Sequence, residues 1–388
     1  MNEILKPTIS IFETLEMFLK MEIVQVCPRY YPYMGGVEKH VREISSKLVE
    51  KGFRIKIFAT DPYIKSKYTE ENIDGILVKK FKSYAFQDTI YFSYPLLRAL
   101  KKTRADIVHA HGYRALPMLE AALAKDTNKA KFIVTTHLGF SKMGKWLYKI
   151  YNPIFGKLIL TRAEKIIIVS PVELEELPIL KSFKEKLAVI PIGIKIPQID
   201  MKQKLIKKNK LTLIYVGRIE KRKGIGLLVE LMKKLDPGKF QLIIVGSGPY
   251  RNKLIQKIRE NKLDNLSYKG KISDKELQKL LFNSELFISL SEYESHSVAL
   301  TEAMSYGVVP IVTDVGGNKH IIDSSSGFLV RYPVNVDEIA KTLNLLSNQR
   351  EIIRLKALKA RKTVAEKYGI HKIVEQISTI YENAVINR

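Results

Sequence analysis

Cysteine and long apolar runs are almost absent from this sequence. Its 388 residues include one cysteine, Cys27, so the chain can form neither an internal disulfide nor a cysteine-based zinc site. Cys27 ends the mostly apolar run 23–27, which predicts a residue buried in a strand. No run is long enough to cross a bilayer, and the N-terminus lacks the basic and then apolar layout of a signal peptide. We therefore expect a cytosolic protein.

Acidic residues are also scarce relative to basic ones. There are 40 Asp and Glu residues against 65 Lys and Arg residues, which gives a net charge of +25. Such an excess indicates an anionic partner: a nucleic acid, an acidic membrane surface or a phosphorylated substrate. The lysines are spread along the chain without an aromatic-rich RNA-binding pattern, so a solvated lysine-rich surface accounts for much of the excess.

The length indicates two domains, since one hydrophobic core seldom serves so long a chain. Apolar strand-like runs alternate with helical patterns almost throughout, which is typical of parallel βαβ units. The first series of strands is predicted at Glu22–Cys27, Arg54–Thr60, Asp106–Ala110, Lys131–Thr135, Lys165–Val169 and Leu187–Ile190, with a helix at Val37–Lys51. The second series is predicted at Thr212–Val216, Gln241–Val245, Leu266–Lys269, Leu286–Leu290 and Val308–Thr313.

The lysine-rich segment Pro191–Lys210 separates the two series and is predicted to be the interdomain linker. We place an N-terminal domain at 21–195 and a C-terminal domain at 196–370. The helical pattern runs from about Val336 to Ala384, and its last part, 371–388, is expected to pack back on the N-terminal domain. Residues 1–20 form an amphipathic extension, and Met21 is a candidate for the native start.

A basic loop follows the first strand of the second series, at the carboxyl end where ligands of open parallel sheets bind. It contains Gly217, Arg218, Lys221, Arg222, Lys223 and Gly224. Several cations near a helix N-terminus are opposed by the helix dipole, so an anion that gathers them is indicated, with diphosphate the natural candidate. A solvated basic loop is the alternative.

An acidic segment after the strand Leu286–Leu290 places Glu294 in a loop. Ser297 is predicted to cap a helix. The first N–H groups of that helix, from Val298, Ala299 and Leu300, are predicted to bind phosphate oxygens. Glu302 lies one turn further along the same face, so both carboxylates flank one ligand. Carboxylates accept hydrogen bonds from hydroxyls and repel phosphate, so a sugar nucleotide satisfies both halves of the pattern.

Three histidines, His109, His111 and His137, end strands of the first domain. An H-x-H pair can ligate a metal, but the sequence shows no third ligand and no D-x-D element, so no metal site is predicted. A structural hydrogen-bonding role is expected for His109 and His111. A substrate contact is expected for His137, which stands close before Gly139.

Two glycine loops complete the candidate sites. Gly35-Gly36 opens a helix after the first strand, where backbone N–H groups can approach an anion, although a simple tight turn has the same pattern. The loop Val245–Pro249, which contains Gly246, is similar to a dinucleotide fingerprint, but Arg251 stands where the third glycine belongs. A nicotinamide site is therefore disfavoured, and this loop is expected to border the nucleotide base.

Together these segments resemble family 4 of the retaining glycosyltransferases, from Met21 almost to the C-terminus. The matching segments, in the family's order, are Gly35-Gly36, Asp106–His111, Thr135–Gly139, Val189–Gly193, Gly217-Arg218 with Lys223-Gly224, Val245–Pro249, Glu294–Met304 and Gly316-Gly317. The resemblance implies an α/β fold of two Rossmann-like doubly wound parallel-sheet domains facing across a cleft, the GT-B architecture. It also implies a retaining reaction without metal or cofactor, with a nucleoside-diphosphate sugar as donor.

The same resemblance implies a role for each site residue. Glu294 contacts sugar hydroxyls, Glu302 contacts the ribose, and Arg218 and Lys223 neutralise the diphosphate. His137 lies near the transferred sugar, and the Gly35-Gly36 loop lies near the phosphates and the acceptor.

Three departures from the family pattern bear on specificity. Ile192 and Lys195 replace the Asn and Asp often found in the linker motif, and His320 stands where a Glu commonly follows the double glycine. None of these positions carries the central chemistry, so we expect effects on nucleotide or acceptor choice. His296-Ser297 replaces Phe-Gly and is compatible with the motif.

We therefore expect a hexosyltransferase that acts on a lipid-linked glycan or glycolipid at the cytoplasmic membrane face. The segment 142–157 mixes cations with aromatics, as interfacial helices do, although a helix packed on a sheet shows the same pattern. One alternative is an epimerase of the same architecture that acts on the sugar nucleotide. Another is a nucleic-acid-binding protein, which would leave the two glutamates without a purpose.

Overall fold

The computed structural model describes residues 21–33, 35–86, 90–138, 149–204 and 209–386. The chain divides into two compact units. The first unit ends at Gly193 and resumes at Ile370, and the second unit comprises Ile194–Gly369. The predicted N-terminal extension lies outside the described residues.

The first unit contains an eight-stranded sheet and a small hairpin. The sheet strands are β1 (Glu22–Cys27), β2 (Arg54–Asp61), β3 (Tyr68–Ile73), β4 (Ile76–Lys82), β7 (Ile107–His111), β8 (Lys131–Thr135), β9 (Lys165–Ile168) and β10 (Leu187–Val189); the hairpin is β5 (Tyr84–Phe86) with β6 (Ile90–Phe92). The sheet order is β10-β9-β8-β7-β1-β2-β4-β3, and only β3 runs antiparallel to its neighbour. The helices are α1 (Gly36–Glu50), α2 (Tyr94–Lys102), α3 (Leu116–Asn128), α4 (Lys157–Arg162) and α5 (Glu173–Glu176).

The second unit is built on a six-stranded, all-parallel sheet. Its strands are β11 (Leu211–Val216), β12 (Phe240–Val245), β13 (Leu266–Gly270), β14 (Leu286–Ser289), β15 (Val309–Thr313) and β16 (Phe328–Val330), in the order β13-β12-β11-β14-β15-β16. Its helices are α6 (Met201–Lys204), α7 (Ile225–Lys233), α8 (Arg251–Glu260), α9 (Asp274–Asn283), α10 (Val298–Ser305), α11 (Asn318–Ile321), α12 (Val336–Asn348) and α13 (Arg350–Tyr368). The last helix, α14 (Ile370–Ile386), returns to the first unit.

The central strands are apolar because helices cover both faces of each sheet. On β1, Val24 and Val26 pack into one core, whereas Ile23 and Cys27 pack into another core together with residues of α1 and α14. Cys27 is fully buried, as predicted. Gln25, in the middle of this strand, is polar and is also fully buried.

The eleven predicted strands and the helix after β1 are confirmed, each to within one or two residues at its ends. Ser273 caps α9, because its Oγ accepts the Glu276 N–H at the start of that helix. The strands β3 to β6 and β16 were not predicted. Among the described residues, no helix combines the length and the apolar character needed to span a membrane.

Both sheets have a point at which the strand order reverses. In the second sheet the chain places β12 on one side of β11 and β14 on the other, and in the first sheet β2 and β7 flank β1 in the same way. Loops that follow the two strands at such a point diverge to opposite faces and leave a crevice at their carboxyl ends. Most candidate residues follow these strands, while His137 follows the neighbouring strand β8 and Gly246 follows β12.

Candidate functional site

The basic and the acidic loops of the second unit meet at the reversal point between β11 and β14. The Glu292 N–H donates to the Arg222 carbonyl oxygen at 2.9 Å. Gly224 begins α7 with a left-handed φ of 71°, and a Cβ there would collide with the Leu290 carbonyl group. Only glycine permits this backbone approach. The two loops are therefore held in register through their main chains.

This register joins Lys223 to Glu294. Lys223 Nζ lies 2.6 Å from Glu294 Oε1, and the two side chains are 14% and 13% exposed. Ser291 Oγ donates to the same carboxylate oxygen at 2.8 Å, and Thr313 Oγ1 donates to the Ser291 carbonyl at 2.7 Å. The sequence predicted these two side chains as separate halves of a ligand site, and the structure makes them an ion pair. Lys223 and Ser291 both contact Glu294 Oε1, so this one oxygen anchors the carboxylate.

Arg218 is held by a carboxylate that sequence reasoning missed. Its Nη2 lies 2.6 Å from Glu220 Oε1, and Arg222 Nε lies 2.7 Å from Glu220 Oε2. Glu220 is only 10% exposed, while the Arg218 side chain is 64% exposed. The loop is thus less positive than its sequence indicated, because one buried carboxylate aligns two guanidinium groups.

Helix α10 begins as predicted, with Ser297 as its cap. Ser297 Oγ accepts the Leu300 N–H at 3.4 Å. The expectation that Leu300 offers its N–H to phosphate is therefore wrong, since the cap takes it. Val298 and Ala299 form the first turn, and Glu302 lies half-buried in the second turn. Burial and then the Glu302 charge raise the pKa of Tyr306.

Two further glycine positions fix the loops around these residues. Gly316 has a φ of 53°, and a Cβ there would strike the Glu294 carbonyl oxygen, while the Gly317 N–H donates to that oxygen at 2.8 Å. Gly246 has a φ of 134° and leaves no room for a Cβ against the Gly217 carbonyl. The double glycine thus positions the backbone of Glu294, and Gly217 and Gly246 bring two strand ends together.

The departures His296 and His320 have different surroundings. His296 is packed against Tyr368, with ring centroids 5.6 Å apart, and burial lowers the pKa of His296 to about 4. A neutral, half-buried imidazole therefore packs beside Tyr368, which explains how the motif tolerates the loss of an aromatic ring. His320 is exposed, and its carbonyl accepts the Tyr368 hydroxyl at 3.4 Å.

In the first unit, a carboxylate already lies at the Gly35-Gly36 turn. Gly35 caps α1, and a Cβ on Gly35 would strike Glu38 Oε2. Glu38 is buried, and burial raises its pKa although backbone N–H groups and Arg29, whose Nε lies 3.7 Å away, act in the opposite direction. A carboxyl group of the protein itself therefore lies at the turn where the sequence predicted an anionic ligand, and the ligand contact of Gly35 and Gly36 stays a prediction.

The histidines at the reversal point of the first sheet belong to one hydrogen-bond chain. Gln25 Nε2 donates to the Tyr381 hydroxyl at 3.0 Å, and that hydroxyl is hydrogen-bonded to His109 Nδ1 at 2.6 Å. His109 Nε2 is hydrogen-bonded to Thr135 Oγ1 at 2.7 Å. The structural role predicted for His109 is confirmed. Burial, followed by the influence of His40, lowers the pKa of His109 to about 3.

The other branch of the chain leads to His137. The oxygen of Gln25 accepts from His111 Nε2 at 2.7 Å, which leaves the lone pair of His111 Nδ1 to face His137 Nε2 at 3.2 Å. Burial is the main cause that holds the pKa of His111 well below its usual value. His111 is therefore neutral, and its tautomer is set by Gln25.

His137 has an unusual backbone conformation, with a φ of 44°. The buried Glu173 carboxylate holds both flanks of this residue, because Thr136 Oγ1 donates to Oε2 and the Leu138 N–H donates to Oε1 at 3.4 Å. Burial raises the pKa of Glu173 to about 8 against the opposing effect of these hydrogen bonds. A neutral buried carboxyl group thus positions the candidate substrate residue.

Comparison with known proteins assigns the family. A model described as Glycosyltransferase Family 4 matches residues 34–196, and a model described as Glycosyl transferases group 1 matches residues 198–367. The chain belongs to glycosyltransferase family 4. A human relative, one of the subunits of phosphatidylinositol N-acetylglucosaminyltransferase, is 26% identical over 375 residues, which cover 92% of this chain and 73% of the human protein.

Solved structures confirm the predicted GT-B fold. A glycosyltransferase from Rickettsia africae superposes with a TM-score of 0.74 at 23% identity and covers 95% of this chain and 100% of that one. Anabaena HepE, solved in complex with UDP-glucose, has a TM-score of 0.75 at 16% identity, with 94% and 100% covered. The family 4 assignment makes the protein a glycosyltransferase, and these matches do not support the epimerase or the nucleic-acid alternative.

Proposed function

We propose that the protein transfers a hexose from a uridine-diphosphate sugar to a lipid-linked acceptor with retention of anomeric configuration. The observation that carries this proposal is the Lys223–Glu294 pair at the reversal point of the second sheet, beside the Ser297-capped start of α10. HepE, which shares the fold, was solved with UDP-glucose, and this supports uridine as the first base to test.

The donor contacts follow from the charges in the second unit. Glu294 is anchored through Oε1 by Lys223 and Ser291, and its Oε2 is proposed to accept hydrogen bonds from sugar hydroxyls. Glu302 is proposed to bind the ribose. Lys223 and the largely exposed Arg218 are proposed to face the diphosphate together with the Val298 and Ala299 N–H groups at the positive end of α10. Gly217 and Gly246 are proposed to line the base.

Lys223 is the residue that tests the donor site. Lys223→Ala removes a charge-assisted hydrogen bond to the diphosphate, so we expect UDP-sugar affinity to fall by about 10- to 100-fold. Lys221→Ala is the matched control, because Lys221 is an exposed lysine of the same loop. Calorimetric titration of UDP and UDP-glucose, after the fold of each variant is checked by circular dichroism, makes the comparison. Equal affinities for the two variants would remove Lys223 from the site.

The proposed chemistry needs no metal on the diphosphate, because Arg218 and Lys223 supply the positive charge at the leaving group. Activity is therefore expected to survive exhaustive treatment with a chelator. Retention predicts that an α-linked donor gives an α-linked product, which proton NMR of the anomeric signal reads directly. An inverted product would refute the stereochemical part while leaving the donor site intact.

The lipid-linked acceptor is supported by two observations. The name of the human relative specifies transfer to phosphatidylinositol. In this chain, Ile150, Ile154 and Phe155 are exposed next to Lys149 and Lys157, and this mixture of apolar and basic side chains suits an anionic lipid surface. Residues 142–148 of the predicted membrane segment lie outside the described residues.

Flotation with phosphatidylcholine vesicles, with and without phosphatidylserine, tests the membrane part. We expect binding at low salt only with phosphatidylserine, and we expect Ile154→Ser to weaken it. Leu355→Ser is the control, since Leu355 is an equally exposed apolar residue of the second unit. Absence of binding to anionic vesicles would remove the proposed location at the cytoplasmic membrane face. The contact between His137 and the transferred sugar stays a prediction.

A further inference from the structure

Three histidines converge at the reversal point of the first sheet. His111 ends β7, His137 follows β8, and His40 comes from α1. One ligand nitrogen from each lies within 4.8 Å of the other two, and the His40 ring is centred 5.1 Å from His137 and 6.0 Å from His111. Of the two histidines in the H-x-H motif, His111 therefore lies in this group and His109 does not. His109 engages both ring nitrogens with Tyr381 and Thr135.

We propose that His40, His111 and His137 bind one divalent transition-metal ion of the zinc class. Zinc binds imidazole nitrogen at about 2.0–2.1 Å, so two ligands of a tetrahedral ion lie roughly 3.3–3.4 Å apart. The distance of 3.2 Å between His111 Nδ1 and His137 Nε2 matches this edge. A shift of His40 by about 1–1.5 Å toward the pair completes a three-histidine set with an open fourth position.

The surroundings of His111 prepare it as a ligand. Its Nε2–H donates to Gln25 Oε1, and Gln25 is itself oriented by Tyr381. A ring N–H donated to a carbonyl oxygen is the usual support for a metal-bound histidine, because it fixes the tautomer and directs the other nitrogen at the ion. The metal would replace the hydrogen bond between His111 and His137, and His137 Nε2 would have to give up any proton it carries before it could bind the ion.

The ligand set selects the metal. Three neutral imidazoles suit Zn²⁺, Co²⁺, Ni²⁺ and Cu²⁺, whereas Mg²⁺ and Ca²⁺ prefer oxygen ligands. His137 is only half-buried, in contrast to His40 and His111, and gives the ion a route to solvent. The three histidines belong to the first unit, whereas the cations proposed for the diphosphate belong to the second unit.

Zinc would also withdraw His137 from its predicted sugar contact, a consequence that rests on the proposed function. Micromolar-range Zn²⁺ is therefore expected to inhibit transfer reversibly, with activity restored by a chelator. The binding site itself does not depend on this consequence.

Titration of the chelator-treated full chain with Co²⁺ tests the site without any enzymatic assay. We expect one equivalent to give the intense visible absorption of a four-coordinate cobalt–histidine centre, and Zn²⁺ but not Mg²⁺ to displace it. His40→Ala and His137→Asn should each weaken binding by about 100-fold or more, and Gln25→Leu by roughly 10- to 100-fold. Asparagine suits position 137 because it tolerates a left-handed backbone.

His320→Ala is the control, since it removes an exposed histidine of the second unit and should bind cobalt like the parent chain. Equal binding by the parent, His40→Ala and His137→Asn chains would overturn the proposal, as would displacement of cobalt by Mg²⁺. Loss of cobalt binding in both variants without zinc inhibition of the parent would support the metal site and would overturn the sugar contact of His137.

Discussion

Replacing Glu173 with glutamine should change how the stability of the first unit depends on pH. Burial raises the pKa of this carboxyl group from an ordinary value near 4.5 to about 8. The folded protein therefore keeps a proton that the unfolded chain releases above about pH 4.5, and the free energy of unfolding falls as the pH rises through this window. The loss amounts to about 1.4 kcal/mol per pH unit. Between about pH 5 and about pH 7.5 it reaches roughly 3 kcal/mol.

Glutamine has the same shape as glutamate but does not take up or release a proton in this pH range. Its oxygen can still accept the Leu138 N–H. Its amide group can donate to Thr136 Oγ1 when the single Thr136 hydroxyl proton is directed at the Ile167 carbonyl instead of at residue 173. Glu173→Gln should therefore match the parent protein near pH 5 and exceed it by up to roughly 3 kcal/mol near pH 7.5. Glu175→Gln, on the exposed side of the same short helix, should follow the parent curve.

Urea denaturation followed by circular dichroism at several pH values measures these differences. Parallel pH profiles for the parent and Glu173→Gln would refute the reasoning, because they would show that the carboxyl group titrates alike in the folded and unfolded chains. A larger m-value in one variant would instead indicate an altered unfolded state.

Three further predictions concern backbone and network positions. In urea titrations, Gly224→Ala should lower the free energy of unfolding of the second unit by about 2 kcal/mol more than Gly270→Ala. Both glycines have a left-handed backbone, but of the two only Gly224 lies against a backbone carbonyl. Equal losses in the two variants would contradict this close approach. His137→Asn should destabilise the first unit by at least about 1 kcal/mol less than His137→Val, as measured by thermal denaturation, since a β-branched residue resists a φ of 44°. Tyr381→Phe should lower the free energy of unfolding by about 1–3 kcal/mol, because Gln25 and His109 lose a buried hydrogen-bond partner. Tyr332→Phe, at an exposed position, should have little effect.

The sequence predicted the strands that are buried on both faces, because they appear as continuous apolar runs. It did not predict β3, whose side chains are mostly exposed and show no apolar alternation. Strands β5, β6 and β16 have three residues each, too few for a periodic signal. Most of the missed strands therefore lack a pattern of their own, but β4 was missed although buried residues alternate along most of its length.

The candidate site shows the same division. Lys223 and Glu294 were found because each follows a strand that a reversal of strand order brings to one place. Glu220 and Glu38 were missed, since a carboxylate beside arginines or at a helix start has no distinctive spacing. His40 was missed because it lies 71 positions before His111, and only the packing of α1 on the sheet brings them together.

The connection between Gln25 and Tyr381 spans 356 positions, and this has a consequence during synthesis on the ribosome. The first unit lacks α14 until the whole second unit has been made, since α14 begins at Ile370 and the first segment ends at Gly193. At roughly 5–20 residues per second, that interval lasts on the order of 10–35 seconds. Throughout it, the nascent first sheet exposes the apolar surface that Ile373 and Ile377 later cover. Chaperone demand should therefore fall at the moment of chain release, and a chain shortened by its last helix should keep that demand permanently.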